Sequence, residues 1–396
     1  MIYVGIDAAS EKHDVFIMGP NKTRFGSSFQ IKNTKQEYKK LLSKINEAKK
    51  FFKDSNVCIG VESTGVYSTT ILEYTSTLDK CEVVFINPVL TNMFQLSQKV
   101  HYAKTDSIDA EGICMYLLKN YDELHTYTPI SYHIKQIKSL ERELSNINKL
   151  LNKNINKLTG IIHITFPEFL GIFPKLKGKL CFSLLSEYPI PSDYHGKHLS
   201  TIYKFGLEHS KGHFSEAKAE KLISNSRETI GVYNTSDRII IKQLASLILL
   251  LMEQKQEIII ELTKLVKEHC PVLLTIPGIG SITAAAIIGE IGDITNFKNA
   301  DSVLAYAGLS LRVYESGKYK ANQVSITRKG SSYLRNAIFQ AARQIVRRDN
   351  TFKSYFEKKL SEGKTYNCAI GHVTKKLVRV IFSILKNNKD FKSVNN

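Results

Sequence analysis

The chain has 396 residues, 43% of them hydrophobic, and a formal net charge of +18 from 55 Lys and Arg against 37 Asp and Glu. At roughly 150 residues per domain that length predicts two or three domains, and the apolar content excludes a disordered or fibrous chain. A membrane span is not expected, because the longest apolar run, Leu244 to Met252, is broken by Ser246 and ends at Glu253. The opening MIYVGIDAAS lacks the basic lead and apolar core of a signal peptide.

In chain order, Ile2 to Asp7 is a short apolar run, His13 to Met18 has a period of two, and Arg24 to Lys32 continues it. Strand signals joined by short polar turns such as Gly19-Pro20-Asn21 predict an antiparallel start to a sheet. A helix over about 35–53 follows, then a buried strand from Val57 to Glu62 and a helix from Thr64 to about Leu78. A strand from Glu82 to Asn87 and helical segments to about Asn120 complete the region. That order of elements is the order of an RNase H-like α/β domain, predicted over 1–130. Over 131–270 two long amphipathic helices are expected. One carries Ile134, Ile137, Leu140, Leu144, Ile147, Leu151, Ile155 and Leu158 at three- and four-residue steps, and the other runs from about Ser236 to His269. They predict an antiparallel coiled-coil hairpin, with the proline-punctuated stretch 163–235 as an insertion on it. The remainder, 271–396, is predicted to be mostly helical with a loop-rich centre at about 308–330.

Asp7 closes the first apolar strand in Gly5-Ile6-Asp7-Ala8-Ala9, and Glu62 closes a later one in Gly60-Val61-Glu62-Ser63-Thr64-Gly65. Small residues beside an acid let a bulky phosphate come close. Asp106 and Asp109 stand three apart and share a helix face. Singly, each acid has a structural use, as a turn cap, a lysine partner or a helix N-cap. Jointly, they point to a hard cation bound by oxygen, such as one or two Mg²⁺ ions clamping a phosphodiester. The six cysteines (58, 81, 114, 181, 270, 368) form no CxxC pair, which argues against structural zinc and a disulfide framework.

Further on, Thr275-Ile276-Pro277-Gly278-Ile279-Gly280-Ser281 predicts a helix-hairpin-helix element. The backbone N–H groups around Gly278 and Gly280 would suit a nucleic-acid phosphate, unless the turn serves only close helix packing. Ser316 lies in Tyr314-Glu315-Ser316-Gly317-Lys318, where its Oγ could face a phosphate among the cations Arg312, Lys318, Arg328, Lys329 and Arg335. An ordinary surface turn is the alternative. The helix beyond carries Arg343 and Arg347, one turn apart. From residue 298 to the end there are 20 Lys and Arg against 6 Asp and Glu, and 7 of the 11 arginines lie between Arg312 and Arg379. A basic final quarter on a nearly neutral remainder is an electrostatic footprint for nucleic acid.

These motifs together resemble a known family, the DEDD transposases of the insertion sequence one-ten group, which are bridge-RNA-guided DNA recombinases. The resemblance rests on G-I-D-A, G-V-E-S-T-G, K-T-D-x-x-D-A, I-P-G-I-G-x-x-T-A, A-Y-A-G-L ahead of S-G-K, and I-T-R-K-G-S-x-Y-L-R. It implies an N-terminal RNase H/RuvC-like domain over 1–130, a helical hairpin over 131–270, and a C-terminal transposase domain over 271–396. It further implies that Asp7, Glu62, Asp106 and Asp109 hold Mg²⁺ and that Ser316 attacks DNA to form a transient covalent link. The implied partners are DNA, a structured guide RNA and further copies of the chain, two protomers completing one active site. A cytoplasmic, bacterial setting follows. The rival readings are a Holliday-junction nuclease using metal-activated water and a nucleic-acid-binding protein without activity.

Overall fold

The computed structural model describes the chain apart from residues 63–64, 87, 99–105, 125, 128–131, 211, 311–314, 317–318, 321–325 and 394–396. At 65–66, 89, 95–96, 98, 106–108, 123, 315–316 and 319–320 it describes the backbone alone. Two compact units result, Met1–Pro129 and Ile130–Asn396.

The first unit is built on a five-stranded sheet of β1 (Ile2–Ala8), β2 (Lys12–Met18), β3 (Phe29–Lys32), β4 (Val57–Glu62) and β5 (Cys81–Ile86), in the order β3-β2-β1-β4-β5. The first three strands pair antiparallel, whereas β1-β4 and β4-β5 are parallel. The sheet therefore has the element order read from the sequence. The strand expected over 24–32 is shorter, since only an isolated bridge joins Met18 to Arg24 before β3 begins at Phe29. Gly26, with φ of 69°, interrupts the extended backbone there.

Both faces of the sheet are covered, which explains the near-continuous apolar runs of β1 and β4. Val4, Ile6, Val15, Ile17, Ile59 and Val61 pack on one face with Leu41 and Ile45 of α1 (Lys35–Phe52) and with Ile71 of α2 (Thr69–Ser76). The other face receives α4 (Asp106–Asn120) through Ala110, Ile113, Cys114 and Leu117, and α3 (Pro88–Gln98) meets α4 where Phe94 lies edge-on to Tyr116. Gly5 and Gly60 are register partners on β1 and β4. A Cβ on Gly5 would lie 2.1 Å from the Ala110 carbonyl oxygen, and one on Gly60 would lie 2.8 Å from Ile113 and 2.9 Å from Leu117. This glycine pair is the seat of α4. Gly5→Ala is accordingly expected to destabilise the unit by about 3 kcal/mol, at the upper end of overpacking costs because backbone is struck, read as a lowered Tm.

The second unit hangs on two long helices, α5 (Tyr132–Thr165) and α10 (Thr235–His269). The His133 ring stacks on His269 at 3.7 Å, while the Val232 N–H donates to the Ile164 carbonyl at 2.9 Å, so the pair is antiparallel. An N-terminal capping box opens α10: Asn234 Oδ1 accepts from the N–H groups of Ser236 and Asp237, and Asp237 accepts from Asn234 N–H. Between the two lie α6 (Pro167–Ile172), α7 (Lys179–Glu187), α8 (Leu199–His209) and α9 (Glu216–Arg227). These share a hydrophobic core with Ile147, Leu151 and Leu158 of α5 and with Ile241, Leu244 and Ile248 of α10.

The opposite end of the pair belongs to a separate core with α11 (Ser281–Ile291), α12 (Ala300–Tyr306), α13 (Ser332–Ile345), α14 (Asn350–Ser361) and α15 (Tyr366–Asn387). Two short strands, β6 (Glu315–Ser316) and β7 (Tyr319–Lys320), pair antiparallel between α12 and α13. Among the described residues no helix is long and apolar enough to cross a membrane.

Candidate active site

Asp7 and Glu62 are brought together by strand register. Ile6 pairs with Val61 on parallel β1 and β4, so Asp7 and Glu62 come next, side by side at the carboxyl end of the sheet. Both lie two residues beyond the paired glycines, and side chains alternate along a strand, so both face the α4 side. The direction of α4 follows from its contacts. Ala110 sits over Gly5, and one turn later the Cys114 thiol donates to the carbonyls of Phe16 at 3.2 Å and Tyr3 at 3.5 Å. The helix thus runs opposite to β1, and its first turn, with Asp109, lies toward Asp7. Asp106 is the first residue of α4, and its side chain lies outside the described residues.

Thr91 of α3, which the sequence did not single out, donates its hydroxyl to Glu62 Oε1 and lies 3.0 Å from the Pro88 carbonyl oxygen. Asp14, also not foreseen, is buried on β2 opposite Asp7 in the antiparallel register. As a donor set Asp7, Glu62, Asp106 and Asp109 fit a hard divalent cation, since all offer carboxylate oxygen. Among the described residues, no three His, Cys, Asp or Glu side chains are gathered at the range of one shared ion. The cysteines of the unit do not compete for it: burial pushes the Cys58 thiol up to about 12, and burial likewise raises that of Cys114.

The second group of candidate residues lies in the second unit. Ser316 is the last residue of β6, paired with Tyr319, and its side chain is outside the described residues, as are Arg312 and Lys318 altogether. The neck of this segment is well defined. Ser331 N–H donates to Tyr306 O at 2.8 Å, Arg328 N–H to Gly308 O at 3.0 Å, and Thr327 N–H to Ser310 O at 2.9 Å. Glycine is required at 308 and 330, with φ of 66° and 142°; a Cβ on Gly330 would lie 2.2 Å from Tyr306 O. Ser331 caps α13 by accepting the Leu334 N–H at 3.1 Å and donates to the buried Glu290 at 2.8 Å. Arg142 of α5 completes the tie with 2.9 Å contacts to Glu290. Ser331 is thus committed to structure. On α5, burial first and Glu290 second push the Glu141 carboxyl up.

The cations divide in the same manner. Arg328 and Lys329 are exposed at the neck, Arg328 with a left-handed φ of 53°. Arg335 instead donates Nη1–H to the carbonyls of Ala307 at 2.9 Å and Arg328 at 3.4 Å. Arg343 stands exposed on α13, and Arg347, expected on the same helix, is exposed in the turn beyond its end at Ile345. Arg343→Ala and Arg347→Ala are expected to flatten the salt dependence of nucleic-acid binding, the log–log slope falling by about one for every phosphate no longer neutralised. Arg335→Ala should lower Tm, as carbonyls lose their donor. Salt titrations beside thermal melts separate these outcomes.

Gly278 also has a packing reason, as its φ is 93° and a Cβ would lie 2.8 Å from the Cβ of Gln344 on α13. Gly280, the N-cap of α11, has open space around its Cβ position and leaves the first N–H groups of that helix uncapped by a side chain. Ahead of this turn lies a 3-10 segment, Pro271–Thr275, in place of the first helix of the predicted hairpin. Pro271 ends α10 and leaves too few residues for a further helix before Pro277.

Two family models match the chain, in order: a transposase model of the DEDD IS110 type over residues 4–167, and one described as "Transposase IS116/IS110/IS902 family" over residues 270–357. The chain belongs to the IS110 family of DEDD transposases. Its relatives in the family include the "Insertion element IS110 uncharacterized 43.6 kDa protein" of Streptomyces coelicolor, 28% identical over 39% of this chain and 38% of that protein. The "Pilin gene-inverting protein" of Moraxella bovis is 31% identical over 34% of this chain and 42% of its own length. The chain therefore spans about two fifths of the length of these curated relatives. Among solved structures, T. thermophilus RuvC in complex with a Holliday junction substrate is matched over 32% of this chain and 99% of that one, at 12% identity and a TM-score of 0.24.

Proposed function

We propose that this member of the IS110 family is the recombinase of an insertion sequence, cutting and rejoining DNA strands with a divalent cation and a serine nucleophile. The observation that carries the reading is the pair of family matches, one across the acid-bearing sheet and the other across the basic segment containing Ser316. Asp7, Glu62, Asp106 and Asp109 would hold the cation, Mg²⁺ in the cell. When bound, the cation supplies Lewis-acid stabilisation of charge on the attacked phosphate.

Ser316 Oγ forms a bond to phosphorus while the bond from phosphorus to the leaving strand oxygen breaks. The hydroxyl loses its proton and the leaving oxygen gains one, so one phosphoester linkage replaces another. The covalent link conserves the bond for resealing, and no ATP is required; the chain has no G-x-x-x-x-G-K-[ST] motif. Arg312, Lys318, Arg328 and Lys329 neutralise phosphate charge around the serine. The basic final quarter holds nucleic acid by its backbone, while a structured guide RNA reads the target by base pairing. The working assembly is a homo-oligomer, dimer to tetramer.

The test supplies the full chain with labelled element-end DNA, Mg²⁺ and RNA transcribed from the noncoding DNA flanking the gene, followed by a denaturing gel. A labelled protein–DNA species that needs both Mg²⁺ and RNA is expected. Cut DNA with no protein-linked species would overturn the serine step in favour of a hydrolytic nuclease. Equal activity without RNA would overturn guidance.

A further inference from the structure

We infer that Asp14 is a positioning carboxylate of the cation site, one whose charge beside Asp7 strengthens the hold on a divalent cation. The inference rests on the metal-dependent reading above and adds a residue to it.

Asp14 and Asp7 are direct partners in the antiparallel β1–β2 register, so their side chains leave the sheet on one face, with Cα atoms about 4.5–5.5 Å apart. Gln30 is the partner of Asp14 on β3, and Glu62 follows Asp7 on β4. A single row across four strands thus reads Gln30, Asp14, Asp7, Glu62. Asp14 is 4% exposed. Its carboxylate accepts from a neutral amide, Gln30 Nε2, at 3.1 and 3.4 Å. Lys12 Nζ donates to Gln30 Oε1 at 2.9 Å, which turns the amide NH₂ toward the acid. The ammonium therefore orients the carboxylate through an amide and does not cancel its charge by contact.

Of the further cations on this face, Lys32 is the exposed register partner of Lys12 at the strand ends, and Arg24 is drawn to Glu111 at 2.6 Å and lies over the Phe16 ring at 5.8 Å. Among the described residues no ion pair reaches Asp14. Like charges directly opposite on neighbouring strands destabilise a sheet, and a buried carboxylate without a counter-charge is costly. Two acids placed this way suit a cation that both serve. Asp14 is not grouped with Asp7 and Glu62 at ligand range, so its effect on the ion is through its field rather than through a bond.

The experiment uses the full chain as wild type, Asp14→Asn and Gln30→Lys, with thermal melts in EDTA and Mn²⁺ binding followed by the paramagnetic signal of the free ion. Asp14→Asn keeps the shape and removes the charge. Gln30→Lys, at an exposed position, gives Asp14 a direct counter-ion and leaves the acid in place. Both variants are expected to bind Mn²⁺ about tenfold more weakly at unchanged stoichiometry, the scale of one nearby charge acting on a divalent ion, and both should melt higher than wild type in EDTA. A lower melt in EDTA with wild-type Mn²⁺ affinity would make Asp14 a structural residue and overturn the inference. If Asp14→Asn does not fold, wild-type affinity in Gln30→Lys overturns it equally. No Mn²⁺ binding by wild type would instead overturn the metal-dependent reading itself, and this inference with it.

Discussion

Asp7→Asn, Glu62→Gln and Asp109→Asn are each expected to lower DNA strand cleavage by about a thousandfold, since in the proposed site removal of a charge-matched oxygen ligand forfeits several kcal/mol of transition-state stabilisation. Asp106→Asn should behave alike. The fold should survive, because these acids sit at the rim of the sheet while its cores are apolar on both faces. Amide variants keep the side-chain shape, so circular dichroism should stay near wild type and Tm in EDTA should not fall below it, while single-turnover cleavage in Mg²⁺ falls. A variant that cuts at the wild-type rate would remove that residue from the site.

The second large effect separates two serines in the same cation-rich region. Ser316→Ala is expected to abolish the protein–DNA species on a denaturing gel, because the proposed attack is made by its Oγ. Ser331→Ala should keep that species and lose stability instead. Its hydroxyl caps α13 and bonds to buried Glu290. A lost cap costs about 1 kcal/mol, and a buried acceptor left short of a donor costs roughly 1–3 kcal/mol more. The two substitutions thus move different readouts, adduct yield in one case and Tm in the other. An adduct that persists in Ser316→Ala and vanishes in Ser331→Ala would reverse the assignment.

Much of the first unit is legible in the sequence because its physics is local. A strand covered on both faces must be apolar along its length, as in Val57 to Val61, and a helix must show its stripe, as α1 does. The acids at strand ends stand out for the same reason. What is not legible depends on register. Nothing within β2 alone says that Asp14 faces Asp7, because a one-residue slip would send it to the other face. Gly5 and Gly60 read as small neighbours of acids, but their use, seating α4 against the sheet, is a property of packing between distant segments. In the second unit, composition groups Arg335 with the nucleic-acid contacts. Its partners, Ala307 and Arg328, become visible only when the neck closes. The apolar steps of α5 do foretell its long buried seam, with Ile137, Leu144, Ile147, Leu151 and Leu158 all buried.

The helices between α5 and α10 enter and leave through one doorway. Val232 N–H is bonded to Ile164 O at 2.9 Å, and the backbone passes so close that a Cβ on Gly231 would lie 2.2 Å from Thr165 O. A segment with joined ends is of the kind that chains acquire or exchange without rerouting their scaffold. Packing here imposes a different rule from topology. Ile147, Leu151 and Leu158, with Ile241, Leu244 and Ile248, are roofed by that segment, and replacing 166–230 with a tight turn would leave them facing water. Any ancestral or engineered version lacking the segment would have to carry polar residues along that half of both long helices. Those positions, more than the joint itself, would record whether the piece was ever absent.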